Sequence, residues 1–302
     1  MGRELARRHP VVAETFEEAD RVLGIPLSTL CWEGPEAELA LTTNTQPALL
    51  TVSTAIARLL STEGVYPDLV LGHSLGEYSA LVAAGALSFG DALPLVRGRG
   101  RYMQEAVPVG KGAMAALLGL ARQDADAVCE EARLPDEVLA PANYNGPGQV
   151  VIAGNTASVV RAIEVARGRG ARRAVRLPVS APFHCSLMQP AEERLAVDLG
   201  RVTFKDMRVP VITNVDAALI SRGDEAREAL RRQVSAPVRW EDSVRQLRGA
   251  GVGIVVEVGA GRVLSGLIRR IDERLPTHAV DDDASLEALK RALHGGDAAA
   301  TA

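Results

Sequence analysis

Residues 69–87 read LVLGHSLGEYSALVAAGAL: an apolar run, a glycine-flanked serine and a second apolar segment. The run at 69–71 is typical of a buried strand, and the segment at 81–87 is typical of a buried helix. Ser74 therefore lies where a strand turns sharply into a helix, the pattern of a nucleophile elbow. Such a turn exposes the serine Oγ and aims the backbone N–H of Leu75 at a developing oxyanion. The same five-residue pattern also surrounds ordinary loop serines, and enzymes of several acyl chemistries share it.

Helices and strands alternate on both sides of this turn. A helix is expected from Pro47 to Leu60, because Thr45 can cap it and proline is tolerated in a first turn. The other predicted elements of this kind are strands at 209–213 and 252–256 and helices at 91–105, 225–233 and 263–271. This order predicts an α/β fold with a mostly parallel sheet covered on both faces.

A different pattern occupies residues 112–178. Strands are expected at 113–118, 138–143, 149–153 and 173–177, with helices at 124–133 and 156–167. The order β-α-β-β-α-β is the ferredoxin-like pattern, which predicts an α+β subdomain inserted into the α/β domain. The α/β domain is then discontinuous, comprising residues 1–111 and 179–290. Residues 295–302 are small and polar and are expected to be disordered.

Composition narrows the classes of partner. The formal charge is −4 and aromatic residues make up 3% of the chain, so a nucleic-acid partner is not expected. No segment predicts a membrane span or a signal peptide. The three cysteines match no metal-ligand spacing, so no metal site is expected. Free cysteines also suggest a reducing compartment, so we expect a cytoplasmic location.

One histidine is placed to serve the serine. His184 follows the turn-rich segment SAPF at 180–183, where the chain re-enters the larger domain. A serine nucleophile needs an adjacent base, and His184 is the candidate. A histidine that is simply hydrogen-bonded within a loop is the alternative interpretation.

Four motifs in one order now indicate a family. GHSLGEYSA at 72–80, MQEAVP at 103–108, PGQVVIAG at 147–154 and EVGAGRVL at 257–264 resemble the bacterial malonyl-CoA:acyl-carrier-protein transacylases of fatty-acid and polyketide synthesis. The resemblance extends from Met1 to about Ile271. It implies a hydrolase-like α/β domain with a ferredoxin-like subdomain, and leaves open which of the two pathways the chain serves.

The resemblance also implies a ping-pong reaction. Ser74 would attack the thioester of malonyl-CoA with His184 as base, and the malonyl-serine ester would pass to the phosphopantetheine thiol of acyl carrier protein. Malonyl-CoA is then a substrate, and no cofactor is implied. Gln233 occupies the place where the family uses a main-chain carbonyl to orient the histidine. From the sequence alone, Gln233 is better interpreted as a surface residue at a helix end.

Substrate contacts follow from the same resemblance. Arg99 corresponds to the arginine that holds the malonyl carboxylate, for which a planar guanidinium is suited. Asn143 and Asn145 match positions near the pocket, although asparagines before a glycine also form turns. Leu75 and Phe183 resemble malonyl-selective members, since a phenylalanine would crowd an α-methyl branch.

The resemblance is incomplete at the front. Family members have a short strand and a Gly-Gln-Gly-Ser-Gln-like turn before the segment that aligns with Met1, and that turn provides a second oxyanion donor. We expect from this that the chain starts at an internal methionine. Two alternatives stay open at this point: a serine hydrolase or thioesterase, and a truncated relative of low activity that binds carrier protein. A hydrolase would need an acid between the elbow and the histidine, and the candidates Asp124 and Asp126 lie within the inserted subdomain.

Overall fold

The computed structural model describes residues 1–179 and 181–300, with the backbone alone for residues 294–300. The first part of the chain is mainly helical. Its elements are α1 (Arg3–Arg8), α2 (Pro10–Leu23), α3 (Leu27–Glu33), α4 (Glu36–Leu39), α5 (Thr42–Thr62), β1 (Val70–Leu71), α6 (Leu75–Ala83) and α7 (Phe89–Glu105). The predicted strand, elbow and following helix are present, and α7 begins two residues earlier than the sequence predicts.

Helices α5 and α7 pack against each other and carry much of the larger core. Each buries residues at the three- and four-residue spacing of one helix face: Ala48, Val52, Ala55 and Leu59 on α5, and Ala92, Val96, Arg99 and Met103 on α7. Arg99 is the charged residue in this otherwise apolar series. The helical period therefore carries a guanidinium into the core.

The inserted α+β subdomain is present. Its elements are β2 (Gly112–Leu118), α8 (Arg122–Ala132), β3 (Leu139–Gly146), β4 (Gln149–Asn155), α9 (Thr156–Gly168) and β5 (Arg173–Arg176). The strands form an antiparallel sheet of order β3-β4-β2-β5. Strand β2 is apolar on both faces because Ala115 and Leu117 pack against the helices while Met114 packs with Cys185 of the larger domain.

The chain then returns to the larger domain. It forms a short 3₁₀ helix (Ser186–Met188), α10 (Gln189–Gly200), β6 (Val211–Ile212), β7 (Leu219–Ile220), α11 (Gly223–Gln233), α12 (Trp240–Gly249), β8 (Val255–Val258), α13 (Val263–Ile271), β9 (Thr277–Val280) and α14 (Asp283–Ala300). Strand β1 pairs in parallel with β6, β8 pairs in parallel with β9, and β6 pairs antiparallel with β7. The predicted α/β class is confirmed, with the sheet divided into two pieces.

A cavity of about 1690 Å³ separates those two pieces, and both β1 and β8 line it. On the elbow side it is lined by His73, Leu75 and Gly76, and Ser74 does not line it. The gap between the two pieces of the sheet therefore borders the elbow on a side that Ser74 does not line.

Backbone pairing and a charged cluster join the subdomain to the larger domain. Tyr144 N–H donates to the Val238 carbonyl (2.9 Å), and Val238 N–H donates to the Ala142 carbonyl (2.8 Å). Beside this pairing, Arg122 donates to both carboxylate oxygens of Asp242 (3.0 and 2.9 Å) and lies 3.7 Å from the ring centre of Tyr144. Strand β3 thereby extends into the larger domain.

The predicted disorder of residues 295–302 stays a prediction. The backbone of α14 is helical to Ala300, and residues 301 and 302 lie outside the described residues.

Candidate active site

The elbow is a strained turn between β1 and α6. Ser74 has φ 51° and ψ −106°, a conformation that non-glycine residues rarely adopt. A Cβ at position 72 would lie 2.0 Å from the carbonyl oxygen of Gly76, so only glycine fits there. A Cβ at Gly76 itself would meet nothing within 4 Å. Crowding therefore requires glycine at position 72 but not at position 76, where it is the backbone oxygen that lies close to position 72.

Asn214 fixes the two ends of this turn. Its Oδ1 accepts from the Ser74 backbone N–H (2.6 Å), and its Nδ2 donates to the Gly72 carbonyl (2.7 Å). Asn214 is not among the site residues predicted from the sequence. A signal for it existed: it stands directly after a predicted parallel strand, and the carboxyl ends of parallel strands are where sites form.

Ser74 and His184 are in contact. The Ser74 Oγ lies 2.8 Å from His184 Nε2, and His184 Nδ1 lies 2.8 Å from the Gln233 carbonyl oxygen. Because a carbonyl only accepts, Nδ1 carries the proton and Nε2 is free to accept from the serine hydroxyl. Burial, together with the charge of Arg99, lowers the pKa of His184 to about 3. The imidazole is thus neutral and able to act as a base at neutral pH.

Gln233 is fully buried at the end of α11 and uses its side chain as well as its carbonyl. Its Oε1 accepts from Arg99 Nη2 (2.8 Å), and its Nε2 donates to the Ser74 carbonyl (2.9 Å) and to Glu77 Oε2 (2.7 Å). The residue therefore links histidine, arginine and serine in one network.

Arg99 is 2% exposed and lies beside the serine. Its Nη2 donates to Ser74 Oγ (3.0 Å), and its Nη1 donates to Gln46 Oε1 (2.7 Å). Its Nε is buried and has no hydrogen-bond partner within the described part of the chain. Burial lowers the pKa of Arg99. A buried guanidinium held by neutral groups, with a donor to spare, is suited to binding an anion next to Ser74.

Gln46 is a second site residue that is not predicted from the sequence. It lies in the first turns of α5, is 6% exposed, and also donates from Nε2 to Thr42 Oγ1 (3.0 Å). The available signal was weak, because Gln46 directly precedes the helix predicted from Pro47 and would share a face with the apolar Leu50 only if that helix began earlier.

The other predicted site residues lie around this cluster. Leu75 is the first residue of α6, so its N–H is among the amides that lack a partner within the helix. Phe183 packs against the cores of both domains, next to His184. Asn145 Oδ1 accepts from His73 Nε2 (2.8 Å), and because an amide oxygen only accepts, His73 Nε2 carries the proton. Asn143 is buried, and its backbone bridges to Val238.

No group of three or more His, Cys, Asp or Glu side chains that could hold a metal occurs among the described residues. Within the same part of the chain, no helix has the length and apolar character needed to cross a membrane.

Comparisons with known proteins agree on one family. A model of the acyl transferase domain matches residues 1–291. The chain is 48% identical over 286 residues to the malonyl CoA-acyl carrier protein transacylase of Escherichia coli K12, covering 94% of this chain and 92% of that protein.

Solved structures are equally similar. An acyl carrier protein S-malonyltransferase from Vibrio cholerae superposes with a TM-score of 0.93 at 46% identity, covering 96% of this chain and 94% of that one. A malonyl-transacylase in complex with its type II polyketide synthase acyl-carrier protein gives 0.92 at 47% identity, covering 95% and 93%.

Proposed function

Since the chain belongs to the acyl transferase domain family and, within it, to the malonyl CoA-acyl carrier protein transacylases, we propose that it moves a malonyl group from malonyl-CoA to an acyl carrier protein. The acceptor is the phosphopantetheine thiol of the carrier. The reaction passes through a malonyl ester of Ser74.

The first half forms that ester. Neutral His184 Nε2 takes the proton of the Ser74 hydroxyl as Oγ attacks the thioester carbonyl, and the Gln233 carbonyl stabilises the imidazolium through Nδ1–H. The Leu75 N–H donates to the oxyanion of the tetrahedral intermediate. Collapse breaks the carbon–sulfur bond, and His184 returns the proton to the departing CoA thiolate.

The second half repeats these steps with a different thiol. His184 takes the proton of the phosphopantetheine thiol, the sulfur attacks the ester carbonyl, and collapse breaks the bond to Oγ. The proton then passes from His184 to Ser74, which restores the starting state.

The observation that carries the malonyl assignment is the position of Arg99. Hydrolysis of an uncharged ester by a serine esterase does not require a buried guanidinium 3.0 Å from the nucleophile. An acyl group with a terminal carboxylate does, because the carboxylate can form paired charge-assisted hydrogen bonds with Arg99.

We also propose that the reaction uses no metal or organic cofactor and takes place in the cytoplasm. The chemistry above needs only a nucleophile, a base and backbone donors. The three cysteines are free and buried, and free thiols are typical of a reducing compartment. Dialysis against EDTA should leave the transfer rate unchanged.

The test is intact-mass spectrometry of the purified chain after exposure to malonyl-CoA. We expect a gain of one malonyl group, its absence in Ser74→Ala, and its loss when a holo carrier protein is added, with malonyl-carrier appearing in step. A fatty-acid carrier and a type II polyketide carrier should be compared as acceptors.

Two outcomes would contradict the proposal. Release of free malonate at the same rate with and without carrier would indicate a hydrolase. No adduct at all, in a chain that circular dichroism shows to be folded, would indicate a non-catalytic relative.

A further inference from the structure

A buried carboxylate one helical turn beyond the nucleophile has no part in the chemistry described so far. Glu77 lies on α6 and is 1% exposed. Its Oε2 accepts from the Asn214 backbone N–H (3.1 Å) and from Gln233 Nε2 (2.7 Å). Both donors are neutral amides. Burying a carboxylate against neutral donors is energetically unfavourable, which suggests that Glu77 has a functional role.

The consequence of Glu77 is best seen at Gln233. A glutamine amide can be turned over, which exchanges its oxygen and nitrogen. Here the nitrogen faces two acceptors, Glu77 Oε2 and the Ser74 carbonyl, and the oxygen faces Arg99. Turning the amide over would set its oxygen against a carboxylate and its NH₂ against a guanidinium. Both contacts would then be repulsive.

We propose that Glu77 is a positioning residue for acyl-group selectivity: it fixes the amide of Gln233 so that Oε1 holds the Arg99 guanidinium beside Ser74. The inference rests on the proposed malonyl transfer. It assigns to Glu77 no contact with substrate. Losing the hydrogen-bond acceptor at position 77 should therefore slow acylation of Ser74 more for acyl groups with a carboxylate than for acyl groups without one.

The Gln233 amide requires a hydrogen-bond acceptor at position 77, and that acceptor can be charged or neutral. Burial raises the pKa of Glu77 to about 7, so both protonation states occur near neutral pH. A protonated carboxyl still presents a carbonyl oxygen to the two amides. Glutamine at position 77 offers the same oxygen on a side chain of the same length, which makes Glu77→Gln the conservative variant.

The test compares two acyl donors on the same protein. Malonyl-CoA carries the carboxylate, and p-nitrophenyl acetate acylates a reactive serine without one. Glu77→Met, which keeps the length and removes the acceptor, should lower the ratio of malonyl to acetyl acylation rates by between about fivefold and about a hundredfold, the range for a buried donor without its partner. Glu77→Gln should restore the ratio to within about twofold of the unmodified chain.

Ser79→Ala is the matched control. Ser79 lies on the same helix, its Oγ is buried without a hydrogen-bond partner within the described residues, and it lines the cavity behind the elbow. It should leave the ratio unchanged. If Glu77→Met does not fold, Glu77→Asp, which withdraws the acceptor by one methylene, should shift the ratio in the same direction.

The outcomes separate this inference from the proposed function. If the unmodified chain forms no malonyl-enzyme, the proposed function fails. If it does, and the position 77 variants lower both rates equally or neither, Glu77 is merely structural and the inference is overturned.

Discussion

The two sheets of the molecule are built in opposite ways. In the subdomain, β2 and β4 pair in register over seven residues from Gly112 to Leu118, and a small apolar core lies between the sheet and its helices. In the larger domain, β1 and β6 pair over two residues, and the sheet is divided by a cavity. The subdomain is held by regular pairing, whereas the short strands of the larger domain mainly place turns that carry polar side chains. The subdomain core thus contributes stability without taking part in the chemistry, and substitutions in each region should show it.

The largest effect is expected at Arg99. Arg99→Met should slow malonyl acylation of Ser74 by raising its activation free energy by about 2–5 kcal/mol. This is the cost of losing one partner of a buried charge pair. Acylation by p-nitrophenyl acetate should fall much less. Stopped-flow and quenched-flow rates with the two donors measure the difference.

Arg99→Lys is the control for charge without planarity. Lysine keeps the charge and loses the paired geometry, so its malonyl rate should lie between those of arginine and methionine. Equal losses for both donors in Arg99→Met would show that the arginine supports the fold of the site and does not bind the carboxylate.

Next in size is the core of the subdomain. Ile152 is fully buried in β4, and Ile152→Ala should lower the free energy of unfolding by about 2–4 kcal/mol through lost burial and a residual cavity. The kcat of the folded protein should be unchanged, because Ile152 belongs to the subdomain core and contributes no hydrogen bond to the network around Ser74. Urea unfolding followed by circular dichroism measures the first quantity, and steady-state transfer measures the second.

Val160→Ala is the matched control in this region. Val160 lies on α9 and is 48% exposed, so the substitution should change stability by less than about 0.5 kcal/mol. A loss of kcat in fully folded Ile152→Ala would contradict the separation of stability from chemistry.

The contrast between the regions also explains what the sequence could predict. Strands β2 to β5, helices α8 and α9, and helix α13 follow from short-range spacing, and the predicted bounds differ from the observed ones by a few residues at most. The elbow was visible for the same reason, since its turn depends on residues 72–76.

The polar network was harder to predict because its members are far apart in the chain. Asn214 binds Ser74 from 140 residues away, and Gln46 binds Arg99 from 53 residues away. Spacing within a helix or strand cannot show such contacts. Glu77 lies inside the motif at 72–80, yet nothing local distinguishes it from a solvated charge in the first turn of a helix. Its burial depends on α11 and the turn after β6.

An intermediate effect is expected where the two regions meet. Phe183 packs against both cores beside His184, and Phe183→Ser should raise methylmalonyl transfer relative to malonyl transfer. The change in this ratio should correspond to about 1–3 kcal/mol in relative activation free energy, the range for one methyl group in an apolar pocket. Competition between the two CoA thioesters, with products separated by mass, measures it.

Phe183→Leu serves as the control, because leucine keeps the position apolar while removing less bulk than serine. Its ratio should fall between the other two. An unchanged ratio in Phe183→Ser would remove Phe183 from the determinants of selectivity.

The smallest expected effect is that of pH on acylation. An exposed histidine base would become protonated, and the rate would fall, as the pH drops through the ordinary histidine value of 6.5. Because burial and Arg99 lower the pKa of His184 to about 3, its neutral form persists well below that value. The rate of malonyl-enzyme formation should therefore change less than about twofold between about pH 5 and about pH 8.

Quenched-flow acylation across this range, repeated with p-nitrophenyl acetate, checks the expectation for both donors. The second donor removes the carboxylate from the comparison, so a fall seen only with malonyl-CoA would point to titration of Glu77, whose pKa is about 7 and which supports Arg99 through Gln233. A fall centred near pH 6.5 with both donors would mean that water reaches the imidazole. The buried network would then not insulate the base, and the site would resemble a solvated surface more than the dry core in which Arg99 and Gln233 lie.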